Sequence, residues 1–303
     1  MSKKPWILVL TLVLVVSVAG LVCVTGSTAA VQSVLTGDWK ASVDNNSKIN
    51  LTLERRTEKG GKNQMGQTYD FSELQGLTRE QALSSGPVRF SLVREAGTIE
   101  CEGNFQNGKG SGTFRFIGSQ AFVSAMKSRG FDFEKDSDSD DGHHTEDRLF
   151  SAAALNVTTA LADDLTSAGF GKLGVNDLFK AAIFKVDSTF MREMKASGFP
   201  NMGMEDLVKA RIFKIDAKFV TEATQMGFDK EPFESLVKMR IFKVTPEFIV
   251  EVRNEGLTNL SVEEVVKLRI FKIDAEFIRK AKADGVPLKV ERLVQRKIGI
   301  TRT

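Results

Sequence analysis

Four aspartates in one short stretch have the spacing that a calcium ion asks of its ligands. Asp136, Asp138 and Asp140 stand at positions one, three and five of a calcium-loop pattern, and Asp147 falls at the twelfth. Two departures count against it: glycine is wanted at position six but arrives one later, as Gly142, and the twelfth position normally carries a bidentate Glu. His143 and His144 are the only histidines in the chain, so a transition metal would find no imidazole elsewhere. A weak metal-binding tract and a solvated acidic loop are the competing readings of "EKDSDSDDGHHTED".

A second set of residues could hold a partner. Lys185, Lys214, Lys243 and Lys272 recur at one interval, with Arg211, Arg240 and Arg269 close by. Asp164, Glu193, Glu222 and Glu251 recur in the same way. Such rows either pair between neighbouring units or form a basic stripe for an acidic protein partner, and surface pairs contribute little singly. The chain carries no His-Glu-x-x-His, no phosphate-binding glycine loop and no nucleophile beside a histidine in an ordered segment. The expectation is a protein that is not an enzyme and needs no cofactor, calcium being the one candidate ion. Net charge is only +3 over 303 residues, which argues against a nucleic-acid partner.

What positions these rows is an internal repeat. Gly169, Gly198, Gly227, Gly256 and Gly285 fall 29 residues apart, and eight residues before each stands Leu161, Phe190, Phe219, Phe248 or Phe277. The triplet Ile-Phe-Lys begins at Ile183, Ile212, Ile241 and Ile270, at the same interval. A fixed period of this size marks a stacked array. The unit "TPEFIVEVRNEGLTNLSVEEVVKLRIFKI" reads as two short helices. Thr245 caps the first, Pro246 takes its first position, and Gly256 ends it in a left-handed turn. Ser261 and Glu264 have capping-box spacing for the second helix, whose stripe is Val262, Val265, Val266, Ile270 and Ile273. Asp187, Asp216 and Asp274 stand where Thr245 does. Helices of about ten residues do not persist alone in water, so the units must stack, and this reading places Ile and Phe of the triplet in the seam between them. A degenerate unit precedes these, with Phe122 eight residues before Gly130 and "LFSAAALNV" matching "LFKAAIFKV", interrupted by the acidic insertion. The last unit is one residue shorter and is the most basic, as suits a polar terminal cap.

Ahead of the helices the period is two. "KINLTLERR", "VRFSLVRE" and "TFRF" alternate, and "REAGT" and "QNGKGSG" supply hairpin turns. Five or six strands are expected, with a long connection between the second and third that begins flexible and holds a short helix at "TREQAL". Cys101 shares a strand face with Ile99 and Phe105 and reads as a buried apolar residue; being the only cysteine after the leader, it excludes an internal disulfide.

The first residues read as an export signal: Lys3 and Lys4, an apolar run from Trp6 to Val24, then small residues with cleavage sites near Ala29 or Ala30. The run is also near the length that spans a bilayer, so a retained single anchor is the alternative. Val22 before Cys23 argues against a lipid anchor there. The chain is thus expected to be α+β and multidomain: residues 1–30 a signal peptide or anchor, and 31–118 a small antiparallel β-sandwich or partly open barrel. Residues 119–157 would form the degenerate repeat, and 158–303 an α-helical solenoid of five two-helix units of about 29 residues.

Two resemblances follow. "GDWK" resembles the Gly-x-Trp that opens the first strand of lipocalin barrels, which would imply a small apolar ligand; the alternative is that Trp39 plugs the core. "LRIFKVTPEFI" and "GLTNLSVEEVVKLRIFKI" resemble helical repeats in the extracytoplasmic tails of bacterial membrane metallopeptidases of the β-lactam-sensor type. That resemblance covers Thr158 to about Ile300 and implies an envelope module for sensing or protein contact; the zinc motif and multiple membrane spans of such peptidases are missing here. The functional expectation is a non-enzymatic exported protein of the periplasm or envelope whose array binds another protein, touching the membrane only through an uncleaved leader. A carrier of a small apolar ligand and a structural spacer are the alternatives.

Overall fold

The strands of the front half share one sheet. A computed structural model describes residues 34–45, 47–56, 62–135, 145–169 and 171–300; the expected signal or anchor segment and Asp136, Asp138, Asp140, His143 and His144 lie outside them. Seven strands form the sheet: β1 (Leu35–Val43), β2 (Ile49–Arg56), β3 (Lys62–Tyr69), β4 (Leu74–Gln75), β5 (Gly86–Arg94), β6 (Gly97–Gln106) and β7 (Lys109–Gly118). Their order is β3-β2-β1-β7-β6-β5-β4, every neighbour antiparallel, and the sheet curls into a half-barrel. Five or six strands were expected; β3 is the one of full length that was missed, within the long connection, where "KNQMGQTY" offers little hydrophobic alternation. The β6–β7 hairpin turns at Asn107 and Gly108, both at positive φ, as a two-residue turn matched to strand twist requires.

Trp39, Phe90 and Phe105 meet on the concave face, with Trp39 edge-on to Phe90 at 5.2 Å and its Nε1 donating to the carbonyl of Glu102 at 3.0 Å. Gly103 is required beneath it: a β-carbon there would lie 2.7 Å from the Trp39 ring and 2.2 Å from the Ser111 carbonyl. Helix α1 (Arg79–Leu83), capped by Thr78, buries Ala82 against the sheet and accepts a bond from the Gly108 N–H.

Helix α2 (Gln120–Lys127) and helix α3 (Thr145–Leu155) make up the degenerate unit. Helix α3 lies against β3, β5, β6 and β7 and so fills the open concavity. Phe150 stacks on Phe114 at 5.3 Å and meets Phe116 edge-on, while the small residues Ala152, Ala153 and Ala154 allow close approach. The Tyr69 hydroxyl donates to the Ala154 carbonyl at 2.9 Å, and Arg55 of β2 pairs with Asp147 at the start of α3.

Five helix pairs follow: α4 (Thr159–Ser167) and α5 (Val175–Phe184), α6 (Ser188–Ala196) and α7 (Met204–Phe213), α8 (Ala217–Gln225) and α9 (Phe233–Ile241), α10 (Pro246–Asn254) and α11 (Val262–Ile270), α12 (Ala275–Ala283) and α13 (Val290–Lys297). The second helices pack in succession, α3 on α5, α5 on α7, and onward to α13, while α2, α4 and α6 begin the other row. Thr158, Asp187, Asp216, Thr245 and Asp274 each accept the N–H three residues on, as the expected caps do. The glycine closing each first helix has positive φ, 103° at Gly256. From Ser33 onward the chain is one compact unit, and its core is continuous from Leu35 to Val294. Among the described residues no helix is long and apolar enough to cross a membrane.

Because α3 belongs to both the sheet core and the helix row, Phe150→Ala should destabilise the chain by about 3–5 kcal/mol. In urea titrations of a Trp6→Phe background, Trp39 emission and the helical circular-dichroism signal should both move to lower midpoint. A shift confined to one signal would show that the two halves do not share α3.

Candidate binding surface of the helical array

Arg, Ile, Phe and Lys at the ends of α7, α9 and α11 have four different placements, and in α5 Ala182 stands where the arginine does. In α11 the buried face is centred between Val262, Val265 and Leu268, and Arg269 points back toward that centre. One residue further on, at about 100° of rotation, Ile270 is turned outward. Ile183, Ile212, Ile241 and Ile270 are 50%, 52%, 48% and 48% exposed. The expectation that these isoleucines fill the seam is therefore corrected: Ala181, Ala210, Met239 and Leu268, two residues earlier, are the buried ones at that turn, and the isoleucines form a half-exposed row. The following Phe184, Phe213, Phe242 and Phe271 are half-buried against the core.

Arg211, Arg240 and Arg269 are stacked inside the array. Their guanidinium carbons lie 3.8, 3.6 and 4.8 Å from the ring centres of Phe190, Phe219 and Phe248. Arg240 also donates to the Lys214 carbonyl at 2.8 Å, and Arg269 to the Phe242 carbonyl at 3.0 Å. Each of these two arginines thus satisfies an orphan carbonyl at the end of the preceding second helix.

Lys185, Lys214, Lys243 and Lys272 are exposed, with φ of 56°, 54°, 54° and 50°. The left-handed turn is completed when the N–H groups of Val186, Ile215, Val244 and Ile273 reach back to carbonyls of the last helical turn at 2.8–3.0 Å. Glycine serves the same turn in the first helices, whereas a side chain in this conformation costs about 1–2 kcal/mol. A cation at a helix C-terminus returns about 0.3–1 kcal/mol, so lysine does not recover the whole cost. Among the described residues these four lysines make no ion pair.

A different lysine row joins the units. Lys180 pairs with Glu205, Lys209 with Glu234 at 2.6 Å, Lys238 with Glu263 at 3.4 Å, and Lys267 with Glu291 at 3.1 Å. The hydrogen bonds from Glu205 and Glu234 raise the pKa of Lys180 and Lys209. Glu263 is lowered, first by its own backbone N–H and then by Lys238. Lys180, Lys209, Lys238 and Lys267 recur 29 residues apart, a signal present in the sequence itself. Of the acidic row, Asp164 accepts both the Ser188 N–H and hydroxyl, at 2.8 and 2.6 Å, and Glu222 lies 3.9 Å from Lys218.

Of the candidate calcium ligands, only Asp147 is described, and its carboxylate is paired with Arg55. Among the described residues no group of three His, Cys, Asp or Glu side chains is placed to hold a metal ion. Cys101 is buried, which pushes its thiol up to about 12. Trp39 is 1% exposed, its surroundings taken by Phe90 and Phe105, so the described strands hold rings where a carrier would need space. Compared with known proteins, the chain matches no family model, no curated protein and no solved structure.

If the lysines are held in the left-handed turn against local preference, Lys243→Gly should raise stability by about 0.5–1 kcal/mol in urea unfolding. A loss of similar size would assign the lysine a structural role at the helix end.

Proposed function

We propose that this is a non-enzymatic exported protein of the bacterial periplasm or envelope, whose helical array binds another protein as a sensor or adaptor module. The observation that carries the reading is the row Ile183, Ile212, Ile241 and Ile270, half-exposed at the same place in four successive units beside four exposed lysines that make no ion pair among the described residues. One exposed isoleucine on a surface is ordinary. A repeated row of them makes a contiguous apolar strip on the scale of the patches that mark protein contacts. Export rests on the basic, apolar and small-residue order of residues 1–30. The resemblance of the phrases "LRIFKVTPEFI" and "GLTNLSVEEVVKLRIFKI" to extracytoplasmic tails of membrane metallopeptidases would imply the same placement.

The strip can be disabled without touching the core. An Ile212→Asp, Ile241→Asp double variant should keep the wild-type helical signal and melting temperature within a few degrees, since both positions are exposed. Tagged wild-type protein, used on detergent-solubilised envelopes, should retain a partner that the variant loses. A variant that retains every partner of the wild type would refute the reading.

A further inference from the structure

The pitch and chemistry of the strip point to the shape of its occupant. We infer that it receives an extended, acidic segment of the partner polypeptide, in the left-handed polyproline conformation, with an apolar residue at every third position. This rests on the protein-binding reading above and specifies its ligand.

Helices α5, α7, α9 and α11 pack side by side, so equivalent residues on them recur at about 8–10 Å. A polyproline helix has three residues per turn and a rise of about 3.1 Å, so it presents the same face every ~9 Å. A β-strand returns to one face at about 6.6 Å and does not match. An α-helix returns after seven residues at ~10.5 Å, but it brings further apolar side chains between those points and needs a groove for its width. Here each rung offers one isoleucine and one lysine, which suits a narrow chain. The strip is also periodic, whereas a lipid surface imposes no period.

The charge at each rung sets the sign. Lys185, Lys214, Lys243 and Lys272 are exposed, and the neighbouring arginines are stacked on phenylalanine rings. The acids nearest in sequence are the caps Asp187, Asp216 and Asp274, each accepting the N–H that opens the next helix. At the third rung the cap is Thr245, and the nearest acid in sequence is the exposed Glu247 in the first turn of α10. The exposed lysine at every rung therefore favours carboxylates along the strip.

Fluorescein-labelled peptides test this by anisotropy on the whole protein, titrated to about millimolar concentration. The probes are (Leu-Glu-Pro) repeated four times, a scramble of the same composition, the (Leu-Lys-Pro) counterpart, and an acidic amphipathic helix with heptad spacing. Vesicles containing phosphatidylglycerol are assayed in parallel by co-sedimentation. The period-three acidic peptide should bind at least tenfold more tightly than the scramble and the basic counterpart. A Lys214→Glu, Lys243→Glu double variant should weaken it about tenfold, and the Ile212→Asp, Ile241→Asp variant should abolish it. Equal binding of the scramble, preference for the helical peptide or for vesicles, or no binding by any probe would overturn the inference. If envelope capture still depends on Ile212 and Ile241 in that case, the array binds protein and only the occupant is wrong. If capture is independent of them, both readings fail.

Discussion

Helices of nine or ten residues are too short to hold their shape in water, and every later feature of the chain answers that constraint. Each of the second helices α5, α7, α9 and α11 is covered by the one before it and the one after it. Helix α3, ahead of them, has no preceding unit, and the half-barrel stands in that place. The sheet has a reciprocal need, since its curl leaves an open concavity lined with aromatic rings. Phe150, between Phe114 and Phe116, meets both needs at once. The sheet and the array are therefore two ends of one core.

Within the array, burial supplies most of the stability and the polar contacts set the geometry. A side-chain cap contributes about 1 kcal/mol, and an exposed Lys–Glu pair rather less. What these contacts fix is register. Lys209 to Glu234, Arg240 to the Lys214 carbonyl and Asp164 to Ser188 each join one unit to the next. The isoleucine faces solvent in all four units, including the first, where Ala182 precedes Ile183, so its direction follows from the helix face that buries Ala181, Ala210, Met239 and Leu268. The strip proposed to bind a partner is thus a by-product of how the units are held together, kept along the array by the repeat itself.

Local signals in the sequence were readable, and signals that depend on distant partners were not. The caps at Thr245 and Asp274, the glycine at 256, the capping box at Ser261 and the Asn107–Gly108 hairpin all depend on neighbours a few residues away, and each appears as expected. Strand β3 escaped because an edge strand of mostly polar residues shows little hydrophobic alternation; only its pairing with β2 defines it. The fit of α3 into the sheet depends on rings more than thirty residues upstream, and nothing local in "LFSAAALNV" marks it. The isoleucine row is apolar by residue type, but its exposure depends on which face of the helix meets the neighbouring units, and that face holds Ala181, Ala210, Met239 and Leu268. The Lys180 row needed only the same counting that found the glycines.

Native-state hydrogen exchange tests the dependence of the helix pairs on one another most directly. If the array is anchored through α3, amides of α3 and α5 should be the slowest to exchange, with protection declining unit by unit toward α13, which is covered on one side only. Equal protection in every pair after Thr158, or slower exchange in α12 and α13 than in α3, would contradict an array that begins in the sheet.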